Sequence, residues 1–243
     1  MPKPDYRYIQ NDEHYFNEVL AVLKRHVPQE AVLRQLLDDL PSIEEKNLFL
    51  RVGAFYRYLV REGRFHFEKD ILNRAMPYID DTYKFIAIFA LVEALEVPNE
   101  YKDFYQWLVQ EPPISEIDPS LDLIKTLEPL YRKYKTEYGS GQAVVRFFSR
   151  LDDHDQQLIQ SRLQIIGKIP SLKTLAQILY DMRSEFVHEA RFVLGFGQHT
   201  TIGHHDNAII VNDLTISDLC VLFERGFLRR FGWTGSTQQQ DRT

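Results

Sequence analysis

Residues Leu179 to His188 read L-Y-D-M-R-S-E-F-V-H and set an arginine, a hydroxyl and a histidine, Arg183, Ser184 and His188, close together in the chain. An arginine holds a phosphate through a bidentate fork of N–H donors. A histidine moves a proton near neutral pH. Together these groups suit RNA transesterification, in which a 2′-hydroxyl attacks the adjacent phosphorus. His188 could take that proton or protonate the leaving 5′-oxygen. Arg183 would stabilise charge on the phosphoryl oxygens, and Ser184 could donate to the same oxygens or orient the histidine. No metal or other cofactor is required. DNA lacks the nucleophile, so this chemistry implies RNA.

The chemistry depends on how the segment is presented. Leu175, Leu179, Met182, Phe186, Ala190 and Val193 recur at spacings of three and four, which predicts a helix with one buried face beginning near Ser171. On it Ser184 and His188 stack one turn apart, while Arg183 and His188 differ by about 140°. One helix alone does not bring both onto one phosphate. A symmetric pairing of two such helices would gather two arginines and two histidines around one cleft. Asp181, Glu185 and Glu189 flank the segment and could hold its cations in surface ion pairs. Glu93, in an apolar helix, is a further possible partner for Arg183, which would make that arginine structural.

The rest of the chain reads as a helical scaffold. Phe16, Val19, Leu20, Leu23 and Val27 form an apolar stripe. A helix over Gln29 to Leu40 follows Pro28. Another, Ser42 to Glu62, opens with capping-box spacing between Ser42 and Glu45 and closes at Gly63. Further helices are expected from about Glu68 to Ala75, from Tyr83 to Glu96, from Ser120 to Lys135 with a kink or split at Pro129, and from Gly141 to Leu151. One beginning at Asp152 or Asp153 is expected to run through Q-I-I at 164–166. Pro112, Pro113 and Pro119 make Glu111 to Pro119 the most linker-like stretch. Ala208 to Val211 suits a very short strand. Asn212 or Asp213 is expected to cap a closing helix, Thr215 to Phe231, before a polar tail.

Composition narrows the class. Of 243 residues, 44% are hydrophobic, enough for a core, and no apolar run approaches the roughly 18 residues of a membrane span. The first residues, M-P-K-P-D-Y-R-Y, carry no apolar signal-peptide core, so a cytoplasmic protein with no membrane association is expected. The net charge of -6 argues against a generic nucleic-acid coat protein but not against a local basic site. The single cysteine, Cys220, lies in D-L-C-V-L-F and reads as an inert packed thiol.

Other candidates are weaker. His199, His204, His205, Asp206 and His154 invite a metal reading, but no helical H-x-x-x-H pair supports it, and no metal site is assigned. His199 and His204 lie in a stretch expected to be a loop after the motif helix, where they could line its cleft and contact substrate. Arg191, one turn beyond His188, is a candidate phosphate ligand. Lys125, Arg132, Lys133, Lys135, Arg146 and Arg150 alternate with Tyr131, Tyr134, Tyr138, Phe147 and Phe148. RNA-binding surfaces use such mixtures, although aromatics at helical spacing also build cores. No glycine-rich nucleotide fingerprint or serine-hydrolase elbow is present.

The segment L-Y-D-M-R-S-E-F-V-H resembles the signature helix of the HEPN superfamily, in its Apea-like branch, where R-S-x-x-x-H is carried on a tyrosine-containing helix. Arg183, Ser184 and His188 match that pattern. A long helix ending in an acidic residue, Glu96, stands upstream, and a closing helix follows. Glu189 stands where a glycine often follows the histidine. Ala190 stands where some toxin members carry a modifiable tyrosine. The resemblance covers residues 78–232. It implies an all-α helical bundle, a homodimer, and a metal-independent endoribonuclease of microbial defence, stress response or toxin–antitoxin systems, with a regulatory protein partner possible. Other members of the superfamily have lost catalysis and bind RNA or protein. On this reading residues 1–77 are an added N-terminal helical region, 78–232 the HEPN-like domain and 233–243 a disordered tail. A ribonuclease would need Arg183 and His188 exposed together in a basic cleft. A binding module would permit Arg183 to be locked to a carboxylate.

Overall fold

Local signals fix where several helices begin. A computed structural model describes residues 12–64, 76–96, 103–110, 123–189, 195–197, 199–205 and 208–235. Helix α1 spans Asp12–Leu23, α2 Glu30–Asp38 and α3 Ile43–Tyr56. Ser42 caps α3, its Oγ accepting from Glu45 N at 3.2 Å, as its spacing predicts. A π-helical turn, Arg57–Arg61, prolongs α3. Helix α4, Met76–Glu96, begins seven residues before the expected Tyr83. Pro77 falls in its first turn, where a missing N–H costs nothing. The helix expected over 68–75 and the linker-like 111–119 lie outside the described residues.

Helix α5, Phe104–Gln110, precedes α6, Leu123–Tyr138. Pro129 neither splits nor ends α6; it sits on an exposed side, where the one carbonyl it leaves unbonded can turn to water. Helix α7 is Ser140–Ser149 and α8 is Asp153–Arg162, capped by Asp152. Helix α9, Leu172–Glu189, carries the motif, with Ser171 Oγ accepting from Thr174 N at its start. Helix α10, Ile216–Arg230, opens on a capping box between Thr215 and Asp218, two or three residues beyond the expected cap. Asn212 instead is buried and bonds Gly195 O and Leu214 N.

The chain is mostly helical, as expected, but it also holds a three-stranded antiparallel sheet in the order β1-β3-β2. Strand β1, Leu163–Ile165, takes over where α8 was expected to continue. Strand β2, Thr201–His205, occupies the stretch expected as a histidine-bearing loop, and β3, Ala208–Asn212, contains the expected short strand. Leu163 pairs with Asn212, and Ile202 with Val211. The two faces differ. Leu163, Ile165, Ile210 and Asn212 face the core, while Ile202, His204 and Ile209 are exposed.

One continuous core joins α1 to α4 with α7 to α10, β1 and β3. Phe16, Val19 and Leu33 from the first helices belong to the same buried cluster as Phe89, Phe147, Leu175 and Phe223. Phe49 lies 5.1 Å from Phe227, and Tyr56 stacks on Phe223 at 4.6 Å. The N-terminal helices therefore share their interior with α4, α7, α9 and α10. The tail was expected over 233–243, but Trp233 packs against this core; residues 236–243 lie outside the described residues. No helix among the described residues is long and apolar enough to cross a membrane.

Candidate functional site

Helix α9 packs along α7 and touches α4 and α8. Leu175, Ala176, Ile178, Leu179 and Met182 are buried in these contacts. Phe186 meets Tyr83 of α4 edge-on at 6.0 Å. This turns Arg183 toward α4, where its Nη2 lies 3.3 Å from both carboxylate oxygens of Glu93. Side-chain exposures are 17% for Arg183 and 20% for Glu93. Burial pushes the Glu93 carboxyl up from its ordinary value, against the pull of Arg183 and of a hydrogen bond from the Ser140 hydroxyl. Arg183 Nε and Glu93 Oε1 are buried without a hydrogen-bond partner. The pair is close but imperfectly satisfied.

His188 is exposed in the last turn of α9, about 140° round the helix from Arg183. Ser184, one turn before it, is half-buried. Val187, beside His188, is 48% exposed. Within one copy of the chain, then, the arginine faces inward to a carboxylate and the histidine faces outward. Arg191 lies outside the described residues. His199 is exposed in the segment before β2, and His204 stands on the outer face of the sheet beside Ile209. Among the described residues no three His, Cys, Asp or Glu side chains are arranged to hold a metal ion.

The basic and aromatic residues of α6 and α7 divide in two. Phe147 and Phe148 are core. Arg146 and Arg150 reach the buried Glu96 at the end of α4, so the acidic residue closing that helix meets α7, not the motif helix. Tyr131, Arg132, Tyr134, Lys135 and Tyr138 instead line an open groove bounded by α7 and α9. The side chain of Lys125 lies outside the described ones.

A cluster that sequence reading missed surrounds Glu224 of α10. Its side chain is fully buried. It accepts from Arg25 Nε at 2.5 Å and from Tyr56 Oη at 2.6 Å, and lies 2.8 Å from His26 Nε2. Burial pushes its carboxyl up, but the bonds from His26, Arg25 and Tyr56 outweigh that and hold it below the ordinary value. Burial also raises the Cys220 thiol, which suits a packed, unreactive cysteine.

Compared with family models, curated proteins and solved structures, the chain matches none.

Proposed function

We propose that this chain is a helical module of HEPN kind that binds RNA, in which Arg183 serves the fold and not the chemistry. The pairing of Arg183 with Glu93 at 3.3 Å carries this reading. An arginine neutralised by a half-buried carboxylate has no net charge to lend a phosphate in the transition state. RNA as the partner rests on the resemblance of the Leu179–His188 helix and on the basic and aromatic groove beside it.

The exposure of His188 and Val187 favours a second reading, a metal-independent endoribonuclease completed by a second copy of the chain. There, His188 of one copy would take the 2′-hydroxyl proton as the 2′-oxygen attacks phosphorus. The histidine of the other copy would protonate the departing 5′-oxygen. The products would be a 2′,3′-cyclic phosphate and a 5′-hydroxyl. Microbial defence or stress response is the setting that the resemblance suggests.

A mixed RNA pool in chelator separates the two. The binding module predicts retention of RNA without cleavage by the wild type and by His188→Ala. Arg183→Ala should cost roughly 2 kcal/mol of stability, between the values of surface and buried pairs. New 2′,3′-cyclic phosphate ends, lost in both Arg183→Ala and His188→Ala, would establish the ribonuclease instead. A folded chain that retains no RNA would end the binding reading.

A further inference from the structure

The groove between α6, α7 and α9 has a volume of about 820 Å³, within the range of small-ligand sites. Its chemistry is uneven. One wall is the face of α6 that carries Tyr131, Tyr134 and Tyr138, at spacings of three and four; Tyr180 of α9 adds a fourth ring. Tyr134 and Tyr138 lie nearly parallel, centroids 5.5 Å apart, and Tyr134 is backed by Phe104 and Trp107 of α5 at 5.5 and 5.7 Å. These rings are therefore held in place by aromatic neighbours. Tyr131 is 42% exposed.

Two cations stand on the same wall. Lys135 Nζ sits 5.0 Å from the Tyr131 ring centroid. Arg132 is tied to Glu128 in an exposed i,i+4 pair, which is weak enough to exchange for a phosphate. The floor is the amino end of α7. Gly139 occupies its N-cap, so no side chain caps the first turn, and Gly139, Ser140 and Gly141 all line the groove. Backbone N–H groups at a helix amino end favour an anion. Gly141 lets Gln177 and Tyr180 of α9 pack close to this floor, since a Cβ there would lie 3.2 Å from Gln177 Oε1 and 3.3 Å from Tyr180 Cδ1.

Flat rings for stacking, two cations and an uncapped helix start in one concavity match an aromatic base joined to a phosphate. We propose that this groove binds a phosphorylated nucleoside, its base stacked on the tyrosines and its phosphate at the start of α7 between Lys135 and Arg132. The same chemistry comes from a free nucleotide, as an effector, or from one nucleotide of a single strand. Only the strand case rests on the RNA-binding reading.

The test is calorimetric titration of the full chain with AMP, adenosine and inorganic phosphate, beside anisotropy with a labelled eight-nucleotide oligoadenylate. AMP should bind saturably and more tightly than adenosine or phosphate. Tyr131→Ala and Tyr180→Ala should each weaken AMP about tenfold or more, while Tyr131→Phe and Tyr180→Phe keep the ring and the affinity. Lys135→Ala should weaken AMP and leave adenosine unchanged. AMP bound as tightly as the oligonucleotide identifies an effector site; an oligonucleotide held more than tenfold tighter identifies a strand site. Failure of a folded chain to bind AMP or the oligonucleotide at millimolar concentration overturns the proposal. So does AMP binding that the alanine variants leave unmoved, or binding of a proline-rich peptide in place of AMP, since aromatic grooves also take that class. RNA bound with no loss in the groove variants would sink this site and leave the RNA-binding module standing. AMP bound without RNA would do the reverse.

Discussion

Replacing Glu224 by glutamine keeps the volume of the side chain and removes the charge from a fully buried carboxylate. The carboxylate meets Arg25 and His26 through one oxygen and Tyr56 through the other. With its oxygen toward Arg25 and His26, the glutamine amide can donate to Tyr56 Oη, whose hydroxyl can turn to Cys220 O, so what is lost is chiefly the negative charge. With the Arg61 guanidinium 4.0 Å away as well, positive charge would be left around a neutral group. Removing one partner of a buried pair costs about 3–5 kcal/mol. For a chain of this size each kcal/mol moves the melting temperature by about 2–4 °C, so Glu224→Gln should melt roughly 6–20 °C lower at pH 7. The pH dependence has a definite sign. Glu224 has a carboxyl held below its ordinary value of 4.5, so its contribution is present above that pH and fades as pH falls through the lower folded value. Thermal melts followed by circular dichroism at pH 7 and across pH 3–5 would therefore show the gap between wild type and variant closing in acid. A variant that melts within about 2 °C of wild type at pH 7, or a gap that does not depend on pH, would refute the role assigned to the cluster.

Two further substitutions probe packing and charge. A Cβ added at Gly226 of α10 would lie 2.8 Å from Phe147 Cε1, so Gly226→Ala should cost about 1–3 kcal/mol in denaturant melts; no loss would mean that the Phe147 ring moves aside freely. Glu93→Gln removes the charge that neutralises Arg183 while keeping an acceptor beside it. It should strengthen RNA binding and steepen its salt dependence by ~0.7, one added phosphate contact on a single strand. An unchanged slope would show that Arg183 does not reach the bound strand.

Much of the helical plan is legible because its signals are local. Ser42 with Glu45, Asp152 and Ser171 announce helix starts within four residues, and the stripe from Leu175 to Phe186 announces its buried face. The competition between Glu93 and a phosphate for Arg183 is likewise readable, since an acid in an apolar helix needs a partner. The strands are less visible. Leu163–Ile165 follows α8 with no glycine, proline or turn residue between them, and three residues carry too little alternation to separate strand from helix. Strand β2, T-I-G-H-H, hides behind its glycine and histidines. The Glu224 cluster could not be read at all, because its partners stand 168 to 199 residues upstream and only the packing of α10 on α3 and on the turn after α1 unites them. The tyrosine wall of α6 looked no different from the phenylalanines of α7. Which of the two sets faces the interior depends on where α4 lies.

The Glu224 cluster also has a consequence for how the chain is made. Arg25, His26 and Tyr56 leave the ribosome long before Glu224 does, and until then their polar groups remain in water. Phe49 and Tyr56 likewise wait for Phe227 and Phe223. The first helices can form early, but their core closes only when α10 arrives. Such long-range closure slows folding and leaves apolar surface open to other chains in the meantime. The carboxylate of Glu224 acts as a late latch, and a nascent chain stopped just before α10 should be the species that chaperones hold.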